Sequence, residues 1–431
     1  MKSSHAFKPI DIGRIVVWGL YALVMLVAPL LMSSSLSLTM LSQMGTLIII
    51  CLSYNILLGQ GGMLSFGHAV YSGLGAFATI HALNFVSAGK LWLPVSLLPL
   101  VGGAAGLMCA ALLGSVTVKK AGTPFAMITL GIVELVAAMS LMFPGFFGGE
   151  GGVSGNRVTG SAPLGITFGP QIQLYYLIAL YTFVCTVLMF AFTRTPLGRM
   201  LNAVRDNPER VEFIGYDTQR VRYIAFMMAG FFAGIGGGLV ALNFEIVTSE
   251  SVNGVRSAVF LLFTFLGGAT FFFGAIIGGI LSVLAFVFFS ELTKAWLLYL
   301  GLLFLMMVMY APGGVASLIM MNVRVAAFGF LRQLWVSYLA LLATALTALL
   351  GAAVMIEMLY HLQLNAAMSD QLQLMGMTLN VTSLNAWVGA LFVMLTGFAL
   401  FECTRRKFKL DWDAVQIDIE KEIKRREALV A

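Results

Sequence analysis

Two ionisable side chains stand inside long apolar runs and are the first candidates for chemistry. Glu134 follows Met127-Ile128-Thr129-Leu130-Gly131-Ile132-Val133, and His68 lies within Leu64-Ser65-Phe66-Gly67-His68-Ala69. A carboxylate at that depth is costly in hydrocarbon, so it should face a bundle interior or water. Glu134 either lines a solute path or accepts hydrogen bonds internally. His68 is either a packing donor between helices or a polar group in the same path. Glu291, Glu357 and Glu402 fall near the ends of apolar runs, where they can reach water. Cys51, Cys109, Cys185 and Cys403 have neither metal-ligand spacing nor a paired framework. No metal, no cofactor on this chain and no catalytic residue are expected. No Gly-x4-Gly-Lys-Ser/Thr phosphate loop occurs either, so ATP hydrolysis by that route is excluded.

Two glycine-broken stretches are the next candidates. The first begins Gly59-Gln60-Gly61-Gly62 and continues through Ser65, Phe66-Gly67 and His68 to Gly73. Ser65, Ala69 and Gly73 recur every four residues, as do Ser72 and Ala76, a spacing that lets membrane helices approach closely. The second runs from Gly267-Gly268 through Phe273-Gly274 to Gly278-Gly279. Both carry a Gly-Gly pair, then Phe-Gly, then a further Gly. Paired Gly-interrupted segments in two halves of a transporter often flank the substrate path. Gly61, Gly62, Ser65, Gly67, His68, Glu134, Gly267 and Gly268 are therefore the path candidates.

A third candidate is the polar segment Thr195 to Gly215. Thr195 can cap a helix with Pro196 at its first position, and Asn207 can do the same before Pro208. Gly215 suits a left-handed stop. The first helix would carry Leu197, Met200, Leu201 and Val204 on one side and Arg199 and Arg205 elsewhere. Two short amphipathic helices of this kind suit a partner's docking site, or a membrane surface with Arg among headgroups.

The elements that position these residues are apolar runs. The chain has 431 residues, 60% hydrophobic and 10% charged, with mean hydropathy +0.95. A soluble domain carries about 25% charged residues, so a soluble enzyme and a disordered chain are both excluded. Runs of membrane length fall at 15–33, 38–58, 63–86, 91–117, 124–143, 174–193, 223–243, 257–290, 295–318, 335–359 and 386–402. The stretch 257–290 is too long for one crossing and splits at its glycines. The expected fold is all-α: a polytopic membrane helical bundle of about twelve segments with both termini cytoplasmic. With the N-terminus inside, every Lys and Arg except Lys90, Arg157, Arg256 and Lys294 falls on the inner side. The net charge of +6 thus reflects membrane orientation and not nucleic-acid binding. Lys2, Lys8 and Arg14 before the first run resemble a signal peptide, but the run is longer than the usual apolar core of one. The segment 144–173 is a glycine-rich outer loop, either mobile or tightly turned. In the tail, Trp412, Val415, Ile419 and Ile423 recur at helical spacing and predict an amphipathic helix.

The blocks Tyr54-Asn55-Ile56-Leu57-Leu58-Gly59-Gln60-Gly61-Gly62-Met63-Leu64-Ser65-Phe66-Gly67-His68-Ala69 and Pro124-Phe125-Ala126-Met127-Ile128-Thr129-Leu130 resemble ABC-importer permeases for branched-chain amino acids. So do Pro196-Leu197-Gly198-Arg199, Ala203-Val204-Arg205-Asp206-Asn207, Leu266-Gly267-Gly268-Ala269 and Tyr310-Ala311-Pro312-Gly313-Gly314. The resemblance is to the high-affinity subunit that pairs with a second permease, and it covers roughly residues 35–320. It implies two cytoplasmic ATPases that bind the ATP, a periplasmic binding protein and the bacterial inner membrane. It also implies that Leu197, Gly198, Arg199, Leu201, Arg205, Asp206, Asn207 and Gly215 form the ATPase-coupling loop, and that 144–173 faces the binding protein. Permeases for urea and short amides are relatives, so the substrate stays open. The chain departs from the pattern after about residue 325. That division gives a permease core at 1–325, two added spans at 326–402 and a cytoplasmic tail at 403–431.

Two other readings compete. An ion-coupled secondary transporter working through Glu134 usually needs more buried ionisable groups. A membrane-bound enzyme or assembly factor would need clustered His, Asp or Cys in the spans.

Overall fold

The computed structural model describes residues 12–159, 167–364, 371–374 and 377–430. Lys2, Lys8 and part of the 144–173 loop lie outside them. Apolar runs become helices because backbone polar groups in hydrocarbon must bond within their own segment. The chain divides into two compact units, 1–286 with 307–316, and 287–306 with 317–431.

The first unit begins with α1 (Ile12–Leu31), α2 (Ser35–Asn55), α3 (His68–Ser87), α4 (Leu98–Thr117), α5 (Thr123–Met142) and the single turn α6 (Pro144–Phe147). It continues with α7 (Gln171–Arg194), α8 (Pro196–Asp206), α9 (Pro208–Phe213), α10 (Thr218–Phe244), α11 (Gly254–Gly267) and α12 (Phe272–Leu284). At its centre, α2 is buried on every side from Gly45 to Asn55. That explains a sequence there that is apolar all round and lacks a polar face. Around it, α10 packs on α3 and α4 through small residues. A methyl group added at Gly234 would overlap the Gly102 carbonyl oxygen, and one at Gly75 would stand 2.6 Å from the Gly234 Cα. The glycines of α10 thus let three backbones close on one another, the packing that replaces hydrophobic drive inside a membrane.

Two departures from regular helix matter for function. α2 ends in a π-turn, Ile56–Gln60, and the chain then runs non-helically through residues 62–67 before α3 starts at His68. Ser65 therefore lies outside the helix expected to carry Ser65, Ala69 and Gly73. The second departure separates α11 from α12 at residues 268–271.

Two strand pairs sit among the helices. β1 (Val153–Ser154) pairs antiparallel with β2 (Ile246–Val247), with Val153 opposite Val247. β3 (Gln371–Leu374) pairs with β4 (Met377–Asn380). The described part of the glycine-rich loop is thus tightly turned and tied to the connection after α10.

The second unit draws on the short α13 (Ser290–Leu292), α14 (Trp296–Tyr310), α15 (Gly314–Ala327), α16 (Leu331–Leu364) and α17 (Leu384–Val430). One uninterrupted helix carries both the last span and the tail. The apolar tail face of Trp412, Val415, Ile419 and Ile423 packs against Val325 and Leu334. Its pattern reflects packing within the chain.

Nine described helices are long and apolar enough to cross a bilayer. α14 and α15 form a broken pair, bent by 49° where a single span, 295–318, was expected. Pro312 and Gly313 occupy the break, and proline cannot continue the hydrogen-bond ladder. Two further apolar stretches, Ile15–Leu31 of α1 and Gly254–Gly267 of α11, are shorter.

Candidate functional site

The polar segment forms the two expected helices with the expected caps. Thr195 Oγ1 accepts from the Gly198 amide at 3.2 Å, and Asn207 Oδ1 accepts from the Arg210 amide at 3.0 Å. Gly215 adopts φ +90°. α8 buries Gly198, Leu201 and Val204, half-buries Leu197, and leaves Arg199 and Asp206 exposed.

What α8 rests on is the first glycine break. Arg205 Nη1 donates to the Gly59 carbonyl at 2.5 Å, while its guanidinium also pairs with Asp206 at 2.9 Å. Asn202 Nδ2 donates to Gln60 Oε1 at 3.0 Å. A methyl at Gly61 would stand 3.2 Å from Leu201 Cδ1. Gly62 has φ +63°, and the Arg205 stem occupies the space a side chain would need, 2.7 Å from a Cβ there. Only glycine takes this conformation at no steric cost and leaves that room. A π-turn loosens the regular ladder of its helix, and here α8 binds one of its carbonyls.

The two breaks also touch each other. Asn55 Nδ2 donates to the Ala269 carbonyl at 2.6 Å, and a methyl at Gly59 would overlap that same oxygen. Gly267 closes α11 and abuts Gly274 and Gly278 of α12. Gly268, at φ +117°, lies against Gly313 and Ala316, a Cβ there falling 2.7 Å from the Gly313 oxygen. Gly61, Gly62, Gly267 and Gly268 therefore belong to one end of the bundle, the end that carries α8.

Ser65, Gly67 and His68 form a different group, buried between helices. Tyr54 Oη donates to the Ser65 carbonyl at 2.8 Å. The Phe66 amide donates to Thr129 Oγ1 at 3.1 Å, and the Ala69 amide to Ser257 Oγ at 2.9 Å. Gly67 packs against the Thr129 backbone. Ser53 Oγ donates to the Ile50 carbonyl at 2.7 Å and lies 2.8 Å from His68 Nε2, which leaves its oxygen to accept from that nitrogen. His68 Nδ1 has no hydrogen-bond partner among the described residues. The Tyr54 and Tyr71 rings stand edge-on to the imidazole. These bonds fix the non-helical run in place across α2, α5 and α11.

Glu134 stands apart from both groups. It is exposed on the first unit, on a face of α5 with Met127, Gly131 and Leu135, and a Cβ at Gly254 would lie 2.9 Å from its Oε1. Among the described residues no group of His, Cys, Asp or Glu could hold a metal ion.

Two features escaped sequence reasoning. Arg157 is buried and donates to the Phe168 carbonyl at 2.9 Å, Leu242 at 3.2 Å, Asn243 and Gly169 at 3.3 Å, and Gln171 Oε1 at 3.1 Å. It locks the glycine-rich loop to the end of α10. Phe213, Ile214 and Tyr216 are exposed beside Gly215, by 90%, 62% and 52%. Their signal was present in the sequence as three large apolar residues in an otherwise charged stretch.

Comparison with known proteins adds to this geometry. A family described as the permease component of the branched-chain amino acid transport system matches residues 36–312. The chain is 28% identical over 288 residues to the high-affinity branched-chain amino acid transport system permease protein LivM of Salmonella typhimurium, and to that of Escherichia coli. Each match spans 62% of this chain and 67% of the relative. The guanosine ABC transporter permease protein NupQ of Bacillus subtilis is 28% identical over 124 residues, 26% of this chain and 39% of NupQ. No solved structure matches.

Proposed function

Since the chain belongs to the family of branched-chain amino acid transport permease components, we propose that it is the membrane subunit of an ATP-driven importer, moving branched-chain or related amino acids inward by alternating access. It works with a second, homologous permease, two cytoplasmic ATPases and a periplasmic binding protein in a bacterial inner membrane. In this reading α8, α9 and both termini face the cytoplasm.

The observation that carries the proposal is the seat of α8 on the first glycine break. A push on α8 from outside the chain reaches Gly59 through Arg205 and Ala269 through Asn55. The exposed Phe213, Ile214 and Tyr216 give a partner something to hold, since large apolar groups clustered at a surface mark interaction sites. Glu134 fits the same reading. A carboxylate exposed on a membrane helix cannot face lipid without cost, so a path or a second permease covers that face of α5.

The test is co-expression with the neighbouring genes, purification in mild detergent and mass spectrometry. The ATPases and the second permease should co-purify, and the assembly should take up L-leucine into vesicles with ATP. Phe213→Asp should insert normally but lose the ATPases and uptake. A chain that purifies alone and drives ion-dependent uptake would refute the proposal. Uptake of guanosine in place of leucine would move the substrate assignment towards that of the NupQ relative.

A further inference from the structure

A cavity of about 580 Å³ opens at the end of the first unit opposite α8. Its volume falls in the range of about 300–1,000 Å³ typical of small-molecule sites. Val240, Phe244, Val259 and Phe286 give it an apolar wall, and Glu250 and Arg256 give it one charge of each sign.

Neither charge is paired with an opposite charge among the described residues. The Arg256 guanidinium lies 5.6 Å over the Phe260 ring. It has no ion pair or hydrogen bond to a described residue, and nor has the Glu250 carboxylate. Glu250 is the carboxylate whose charge reaches Arg256. The site also lies deep. α11 has 14 residues and rises about 21 Å, against about 30 Å of hydrocarbon. Glu134, from the middle of α5, lies against Gly254 at its start. Arg256, in the first turn of α11, therefore stands within the thickness of the bilayer, where a charge needs company.

We propose that this cavity is a subsite for a zwitterionic α-amino acid with an aliphatic side chain: Arg256 takes the carboxylate, Glu250 the ammonium, and the apolar wall the side chain. The inference rests on the importer reading and assigns part of the selectivity to the permease itself. The two charges do not pair directly, which leaves room for a ligand bearing both. The site faces away from α8, where solute arriving from the other side of the membrane would enter.

A phosphatidylethanolamine headgroup shares this charge pattern, so the experiment separates the two. The assembled transporter is placed in phosphatidylcholine nanodiscs without nucleotide, and binding of L-leucine is compared with that of 4-methylpentanoate and 3-methylbutylamine, each lacking one charge. Either analogue should bind about tenfold more weakly, the scale of one lost charge-assisted contact. Arg256→Gln and Glu250→Gln should weaken leucine binding by a similar factor while the partner subunits still co-purify. The charge exchange Glu250→Arg with Arg256→Glu should recover part of it. Unchanged leucine binding and uptake in both single variants would overturn the subsite and leave the importer standing. Loss of co-purifying phosphatidylethanolamine in Arg256→Gln, with leucine handling intact, would overturn it in favour of a headgroup. An unaltered assembly that moves no leucine at all would instead remove the importer reading.

Discussion

Arg205 joins two parts of the chain with one guanidinium, holding the Gly59 carbonyl and Asp206 together. Arg205→Gln should cost about 1.5 kcal/mol of stability, the lower end for a hydrogen bond to a charged group, because the side chain is partly exposed. Uptake should fall further than that loss predicts while the ATPases still bind. ATP hydrolysis persisting without leucine uptake is the signature to measure, and tight coupling in the variant would remove the role. Arg157 is the opposite case, a buried cation wholly engaged with its own chain. Arg157→Ala leaves several carbonyls without donors and should cost about 3 kcal/mol or more, read as a thermal shift. Glu134→Gln should lower uptake with stability changed by less than about 0.5 kcal/mol, since the side chain is exposed. A thermal shift with normal uptake would make Glu134 structural. What was legible at this scale was local. The caps at Thr195 and Asn207 bond three residues along the chain, so neighbouring letters specify them. Arg157 bonds to Leu242 and Asn243, and Asn55 to Ala269, across stretches no periodicity connects.

Elements were legible where hydropathy alone decides them and obscure where glycine does. The expected apolar segments fall on helices over most of their length, the start of 63–86 and the break inside 295–318 excepted, because hydrocarbon leaves a backbone little other choice. Glycine marked both breaks in the sequence, yet the same residue does opposite work in α10, where Gly230 and Gly234 let an unbroken helix close on Gly102 and Gly106 of α4. Composition does not separate a glycine that opens a helix from one that lets two helices meet. The pattern at Trp412, Val415, Ile419 and Ile423 was likewise legible as a helix face, while its partners, Val325 and Leu334, were not. Gly234→Ala tests the α10 contact. The added methyl meets the Gly102 carbonyl with no space to receive it, so overpacking of about 2 kcal/mol should appear as a lower melting temperature. Gly131→Ala, where nothing lies within 4 Å, is the control and should melt unchanged or slightly higher, as helix propensity favours alanine.

At the scale of the whole molecule, every feature on which the transport reading rests belongs to the first unit: the seat of α8, both glycine breaks, Glu134 and the charged cavity. The family match takes in that unit from α2 onward, together with 287–306 of the second unit, and stops at residue 312. The second unit is held by its own contacts. Tyr299 donates to Glu357 Oε1 at 3.3 Å, Thr293 bonds the same carboxylate, and the tail of α17 packs on Val325 and Leu334. Glu357 thus satisfies within its unit the cost of a carboxylate among apolar helices, and the features on which the transport reading rests lie outside that unit. A chain ending at Ala327 should therefore insert, retain the ATPases and take up L-leucine at a rate close to that of the full chain. Uptake and co-purification measured on the same preparation decide it. Retained ATPases without uptake would show that α16 and α17 take part in the transport cycle. Loss of the ATPases would show that the tail contributes to their docking. The helix face of Trp412 already has an intramolecular partner, so any such contact would come from the exposed basic residues Lys421, Lys424 and Arg425.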